Sequence, residues 1–230
     1  MLPGATLAAG ELLVPREASR HALVARVAPG EAIEVLDLAG VVAIGALLRW
    51  EGERCRVAIE RLERGRGEPP ASLVLALAVL HTGAFDWAVE KATELGVTSI
   101  VPIVAERCQG RGGAARRERW QRIAAAAVAQ CGRSRPPTVE PPRPLAQMLD
   151  GVAGTRLVAE SGASSPSVLR ATGDGITLLV GPEGGFTTAE REAISGAGFL
   201  ALPLGPRTLR AETAALAGLA LAQSLAGWLG

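Results

Sequence analysis

Two glycine-marked turns near the C-terminus carry the residues best suited to holding a small ligand. The first is Val180-Gly181-Pro182-Glu183-Gly184-Gly185-Phe186, and the second is Leu204-Gly205-Pro206-Arg207-Thr208-Leu209-Arg210-Ala211-Glu212-Thr213-Ala214. Glycine lets a backbone take positive φ and approach a ligand closely. A helix beginning just beyond such a turn offers unpaired N–H groups to that ligand. Neither turn is G-x-G-x-x-G, and neither is the phosphate loop ending in GK[ST]. Each alone reads equally well as turn chemistry, but two together are more specific. Arg210 can donate hydrogen bonds without acting as a base; the alternative is an ion pair with Glu212 or Glu183. Glu183 can accept a proton or bind backbone amides within its own turn. Glu212 reads as a residue of the first helical turn.

The turns need elements to position them. Short apolar runs at 176–180 and 200–204 read as strands, and each leads into a helical pattern. In open α/β sheets ligands sit outside the carboxyl ends of the strands, so the two turns share one pocket if their strands lie close. From Ala71 onward further strands are expected at 73–80, 99–104 and 156–159, and helices at 86–95, 116–131 and 213–228. Strands alternating with helices predict an α/β fold. Thr187 and Glu190 have the spacing of a capping box, with Phe186 before them as a staple residue. The last helix is rich in alanine and glycine, which suits close packing within the chain or between subunits. Trp87 and Trp120 are expected in the core. Residues 1–63 read instead as a small β-rich unit, with strands at 32–36, 41–50 and 54–62 and a helix at 16–27. Five or six short strands there would form a small barrel. Residues 64–70, mixing glycine, proline and charge, form a linker. The expected domains are therefore 1–68 and 69–230.

The composition excludes several function classes. At 48% hydrophobic and 20% charged residues the chain is globular. No apolar run reaches the length of a membrane span, and no basic region with an apolar core opens the chain. A soluble, cytoplasmic protein is expected. Cys55, Cys108 and Cys131 are widely spaced with no CxxC pair, which argues against a disulfide framework or a zinc site. No metal is expected. Net charge is +1, yet residues 111–135 hold seven arginines against Glu118 alone. Such a patch is an electrostatic footprint for a polyanion, or else a solvated helix face. Lys91 is the one lysine, and its spacing to Glu94 predicts a helix-surface pair.

Five segments carry a family resemblance: Glu90-Lys91-Ala92-Thr93-Glu94-Leu95-Gly96-Val97, Ala105-Glu106-Arg107-Cys108, Gln130-Cys131-Gly132-Arg133-Ser134-Arg135-Pro136, and the two glycine turns. They resemble the RsmE family of bacterial small-subunit ribosomal RNA methyltransferases, within the SPOUT superfamily. The resemblance implies a PUA-like, RNA-binding β-barrel in 1–68. It implies a SPOUT parallel sheet with a deep trefoil knot in 69–230, and a homodimer. It further implies that S-adenosylmethionine binds in the knot, and that N3 of a uridine in 16S rRNA is methylated within an assembled or assembling small subunit. Two stretches depart from the family pattern. The opening lacks the usual basic-aromatic residues, which Arg20, His21 and Arg26 partly recover, and 81–86 lacks the usual charged residues.

On this resemblance the cofactor residues are Val180, Gly181, Pro182, Glu183, Gly184, Gly185, Leu204, Gly205, Leu209, Arg210 and Thr213. Methyl transfer to uridine N3 needs loss of a weakly acidic proton and stabilisation of charge on the ring oxygens. Arg210 is the candidate for the second task and Glu183 for the first. Arg20, Arg26, Arg116, Arg119, Arg122, Arg133 and Arg135 are the candidate RNA contacts. A ribose 2′-O-methyltransferase of the same superfamily and a non-catalytic RNA-binding assembly protein are the competing functions.

Overall fold

In the computed structural model residues 1–110, 113–160 and 175–228 are described. Contacts divide the chain into two units. One comprises Met1–Glu68 with Val128–Pro136, the other Pro69–Ala127 with Pro137–Gly230.

The first unit contains β1 (Gly10–Leu13), α1 (Arg16–Val24), β2 (Ala32–Leu36), β3 (Val41–Glu51) and β4 (Arg54–Arg64). They form a four-stranded antiparallel sheet in the order β1-β4-β3-β2. Leu7, Val14, Val35, Leu47, Val57 and Ile59 make its core. The strands at 32–36, 41–50 and 54–62 stand as the alternation predicts; β1 has too few residues to show a period. Gly45 sits at a register shift of β3 against β4. A Cβ there would fall 1.8 Å from the Ala58 carbonyl oxygen, so the bulge requires glycine. Arg66, in the stretch expected as a linker, is held within this unit. Arg66 Nε donates to the Gly132 carbonyl at 2.9 Å, and its guanidinium pairs with Glu34 at 2.6 Å.

The second unit contains β5 (Leu73–Ala78), α2 (Thr82–Glu94), β6 (Ser99–Val104), α3 (Ala114–Cys131, from Val128 onward grouped with the first unit), β7 (Thr138–Val139), β8 (Arg143–Pro144), α4 (Leu145–Leu149), β9 (Thr155–Glu160), β10 (Ile176–Val180), α5 (Thr188–Gly196), β11 (Leu200–Pro203) and α6 (Ala211–Leu225). Its strands are all parallel, in the order β11-β9-β10-β5-β6-β7, with β8 also on β6. The α/β architecture and its parallel sheet are as the sequence predicts. The two-residue strands β7 and β8 and the short α4 carry no periodic signal and were not expected.

Period-two alternation puts Leu73, Leu75 and Leu77 of β5 into one core layer, with Phe85, Trp120 and Leu219. Ala76 and Ala78 face the other, with Ile103, Phe186 and Phe199. Full burial of each leucine is worth roughly 1.5–3 kcal/mol, so the strand is held from both sides. The small residues of α6 serve a contact within the chain: a Cβ on Gly218 would lie 2.8 Å from Leu178 Cδ2. Trp120 is fully buried, its ring centroid 4.2 Å from that of Phe85. Trp87, expected in the core, is 43% exposed instead. The buried stripe of α2 is Phe85, Ala88, Val89 and Ala92. Two positions on from Phe85 is about 200° around the helix, which turns Trp87 outward. Among the described residues no helix is long and apolar enough to cross a membrane.

Candidate active site

The two glycine turns follow β10 and β11, and those strands flank β9 on either side. Because all three strands are parallel, their carboxyl ends share one edge of the sheet. A cavity of about 220 Å³ opens there, lined by Val180, Gly181, Pro182, Glu183 and Gly185 from the first turn and by Leu204, Arg207, Thr208 and Leu209 from the second. Ala159 and Glu160, at the end of the intervening β9, line it too, with Phe186, Arg191, Ala211 and Ala214. The Leu204 N–H donates to the Glu160 carbonyl at 3.2 Å and ties the second turn to β9.

Local chemistry explains the first turn. The Gly185 N–H donates to the Pro182 carbonyl at 2.8 Å, closing a four-residue turn. Gly185 has φ +67°, a left-handed conformation that favours glycine. A Cβ on Gly181 would lie 2.9 Å from the Phe186 ring, which folds beneath the turn into the core. Gly184 has no positive φ; a Cβ there would meet Arg107 Cβ at 3.2 Å. The expected capping box follows. Thr187 Oγ1 accepts from the Glu190 N–H at 3.3 Å, and Glu190 Oε2 accepts from the Thr187 N–H at 2.8 Å. Arg191 stands where a staple partner of Phe186 would be apolar, and its Nε donates to the Phe186 carbonyl at 3.2 Å. Gly205 likewise has positive φ, at +90°.

The structure brings together Val180, Gly181, Pro182, Glu183, Gly185, Leu204 and Leu209 of the expected cofactor residues. Gly184, Gly205, Arg210 and Thr213 do not line the cavity. Arg210 is the N-cap residue of α6, its side chain exposed. Its carbonyl accepts from the Ala214 N–H at 2.8 Å. Among the described residues neither Arg210 nor Glu183 forms an ion pair within 4.0 Å, so the pairings of Arg210 with Glu183 or Glu212 are not made. Sequence reasoning passed over Ala159, Glu160, Arg207 and Thr208. The latter two stand within the quoted turn and were open to choice, whereas Glu160 enters only through the adjacency of β9.

The arginines separate into engaged and free-standing groups. In the second unit Arg116 Nη2 donates to the Leu80 carbonyl at 3.1 Å, and its guanidinium lies 5.1 Å from the Trp120 ring centroid. Arg119 pairs with Asp86 at 2.8 Å, and that carboxylate also accepts from Trp120 Nε1 at 3.1 Å. Arg122 is exposed. In the first unit Arg20 and Arg26 are exposed, and Arg135, also exposed, lies 3.7 Å from the Glu68 carboxylate. Arg133 is buried at 3% exposure in an ion pair with Glu68, which takes it off the surface where a phosphate would be met. Arg111 lies outside the described residues. Lys91 sits 2.7 Å from both Glu90 and Glu94, and hydrogen bonds to these two carboxylates, Glu90 first, push its ammonium up to about 12. The Cys108 thiol is pushed up by burial above all, with the Glu190 and Glu183 charges adding to it, which disfavours the thiolate.

A family model described as RNA methyltransferase domain matches residues 67–223. The chain is 31% identical over 163 residues to the ribosomal RNA small subunit methyltransferase E of Mesomycoplasma hyopneumoniae, covering 69% of this chain and 71% of that one. It is 30% identical over 214 residues to the protein of the same name from Aquifex aeolicus, covering 89% and 91%. The crystal structure of a ribosomal RNA small subunit methyltransferase E from Neisseria gonorrhoeae, bound to S-adenosyl methionine, matches with a TM-score of 0.87 at 34% identity, covering 97% of this chain and 95% of that one.

Proposed function

The chain belongs to the RNA methyltransferase family, among the small-subunit methyltransferases E, and from that premise we propose that it methylates N3 of a uridine in 16S rRNA using S-adenosylmethionine. The observation that carries this is the single cavity closed by both glycine turns at the carboxyl ends of β9, β10 and β11.

The residues present fit that cofactor. Val180, Pro182, Leu204 and Leu209 offer apolar surface for an adenine ring, and Gly181 and Gly185 let the backbone come close. The lining carries both signs of charge, Glu160 and Glu183 with Arg191 and Arg207, which suits a ligand bearing a sulfonium, an ammonium and a carboxylate. S-adenosylmethionine, when bound, supplies a sulfonium methyl group for transfer to a nucleophile. The chain's part is to present that nucleophile. Glu183, exposed in the cavity lining, takes the N3 proton. Arg210, at the N-cap of α6 directly after Leu209, donates to a uracil oxygen as charge develops there. The exposed Arg20, Arg26, Arg122 and Arg135 meet RNA phosphates.

The finer architecture belongs to the same proposal. The antiparallel sheet of the first unit supports a PUA-like, RNA-binding barrel in 1–68. The return of β11 past β10 to pair with β9 supports a deeply knotted SPOUT domain in 69–230. Trp87 on α2 and Leu225 on α6, 43% and 42% exposed on two helices that pack together, support a homodimer. The protein works in the cytoplasm on an assembled or assembling small subunit.

Mass spectrometry of rRNA nucleosides from a deletion strain tests the function. The expected result is loss of N3-methyluridine, restored by the wild-type gene. Loss of a 2′-O-methylnucleoside would make the protein a ribose methyltransferase, and an unchanged nucleoside profile would leave only RNA binding.

A further inference from the structure

The loop after β6 reaches both the first glycine turn and the first turn of α5. Arg107 Nη1 donates to the Gly184 carbonyl at 3.0 Å. Glu190 Oε1 accepts from the Glu106 N–H at 2.8 Å, while its Oε2 holds the Thr187 N–H at 2.8 Å. One carboxylate therefore caps α5 and grips the neighbouring loop at once. The loop is itself pinned, because the Cys108 N–H donates to the Ala105 carbonyl at 3.1 Å and the Ala105 N–H donates to Cys108 Sγ at 3.3 Å. None of Glu106, Arg107, Cys108, Thr187 and Glu190 lines the cavity.

Resting on the cofactor reading above, we propose that Arg107 and Glu190 are positioning residues that clasp the Pro182–Gly185 turn in its ligand-binding shape. The turn needs such help. Its own structure has one closing hydrogen bond, from Gly185 to Pro182, and two adjacent glycines whose backbone is the freest of any residue. A turn of that kind samples many shapes, and a ligand that selects one of them binds more weakly by the fraction populated. The Arg107 bond fixes the Gly184 peptide from outside the cavity. The Glu190 bonds fix the residues that follow Phe186, whose ring closes the turn from beneath. Arg107 and Glu190 thereby act on the cofactor through the turn, without touching the cofactor.

The test uses the full chain with Arg107→Met, Arg107→Lys and Glu190→Gln. Glu190→Gln keeps the shape of the side chain but exchanges one acceptor oxygen for a donor, so only one of the two backbone N–H groups retains its partner. Calorimetry with S-adenosylmethionine should show Arg107→Met and Glu190→Gln binding about tenfold more weakly, the loss expected for one hydrogen bond to a charged group. The thermal midpoint of Arg107→Met should fall by no more than about 4 °C, its turnover at saturating cofactor should equal wild type, and Arg107→Lys should recover most of the affinity. Amide hydrogen exchange in the cofactor-free protein should quicken at Glu106, Thr187 and Gly185 in Glu190→Gln. Wild-type affinity in both variants with unchanged exchange would overturn the clasp, as would binding losses that merely track a lowered thermal midpoint. If wild type itself binds no S-adenosylmethionine, the cofactor reading falls while the exchange data still decide whether the clasp exists.

Discussion

The Arg133 guanidinium donates to the Glu68 carboxylate across 2.7 Å, with the two side chains only 3% and 8% exposed. Glu68 Oε1 also accepts from the Ser134 hydroxyl at 3.0 Å and from the Ser134 and Arg135 backbone N–H groups at 3.3 and 3.2 Å. A cluster of arginines in the sequence thus contains one whose work is internal, holding Val128–Pro136 to the end of the first unit's chain.

Removing one partner of that pair should be costly. Glu68→Gln removes the carboxylate charge that faces Arg133, and losing a hydrogen bond to a charged group typically costs about 1.5–3 kcal/mol. Burial pushes the Glu68 carboxyl up, but the bonds from Arg133, Ser134 and Arg135 outweigh it and hold the group below its ordinary 4.5. A depressed folded value means the contribution is complete above 4.5 and is lost as pH falls through the lower folded value. Urea unfolding between pH 6 and pH 3 should show wild type losing stability at the acid end, while Glu68→Gln starts lower and falls less. Parallel curves would exclude Glu68 as the source.

Cofactor affinity should depend on Gly185 more than its neighbour for reasons of backbone. At φ +67° an L side chain costs roughly 1–2 kcal/mol. Gly185→Ala should therefore strain the turn and weaken S-adenosylmethionine binding in calorimetry by about 5–30-fold, with the fold retained. Gly184→Val meets Arg107 Cβ instead, 3.2 Å from an ideal Cβ, and should weaken binding by displacing that loop. Undiminished binding in both would move the pocket elsewhere.

Arg210 and Arg207 should part ways kinetically. Loss of one preorganised donor to developing charge typically slows chemistry by about 10²–10³. Arg210→Ala should slow single-turnover methylation by that factor with cofactor affinity little changed. Arg207 lines the cavity and should affect cofactor binding when changed to alanine. The reverse pattern would transfer the catalytic role to Arg207.

The arginines of α3 should not behave alike. Arg122→Ser removes an exposed charge and should lower the salt dependence of RNA binding by about one unit of slope, with stability unaffected. Arg116→Ser and Arg119→Ser should each lower stability by about 1 kcal/mol, because they lose the contacts to Leu80, Trp120 and Asp86. Filter binding across a salt series and thermal melts separate the two effects. Equal stability losses in all three variants would make the helix face purely structural.

Where chemistry is local, the sequence alone determined the outcome. Apolar runs marked β6 and β10 to the residue, Thr187 and Glu190 announced their capping box, and the glycines of both turns stand where positive φ or close packing demands them. These signals need only a residue and its near neighbours along the chain. Pairing across the sheet needs the whole fold. Only the tertiary structure set β9 between β10 and β11, which drew Ala159 and Glu160 into the cavity. It also buried Arg133 beside Glu68, 65 positions away, and turned Trp87 out to solvent. Charge and size decide that an arginine or a tryptophan will find a partner; which partner, and on which side of a helix, depends on what the packed chain places there.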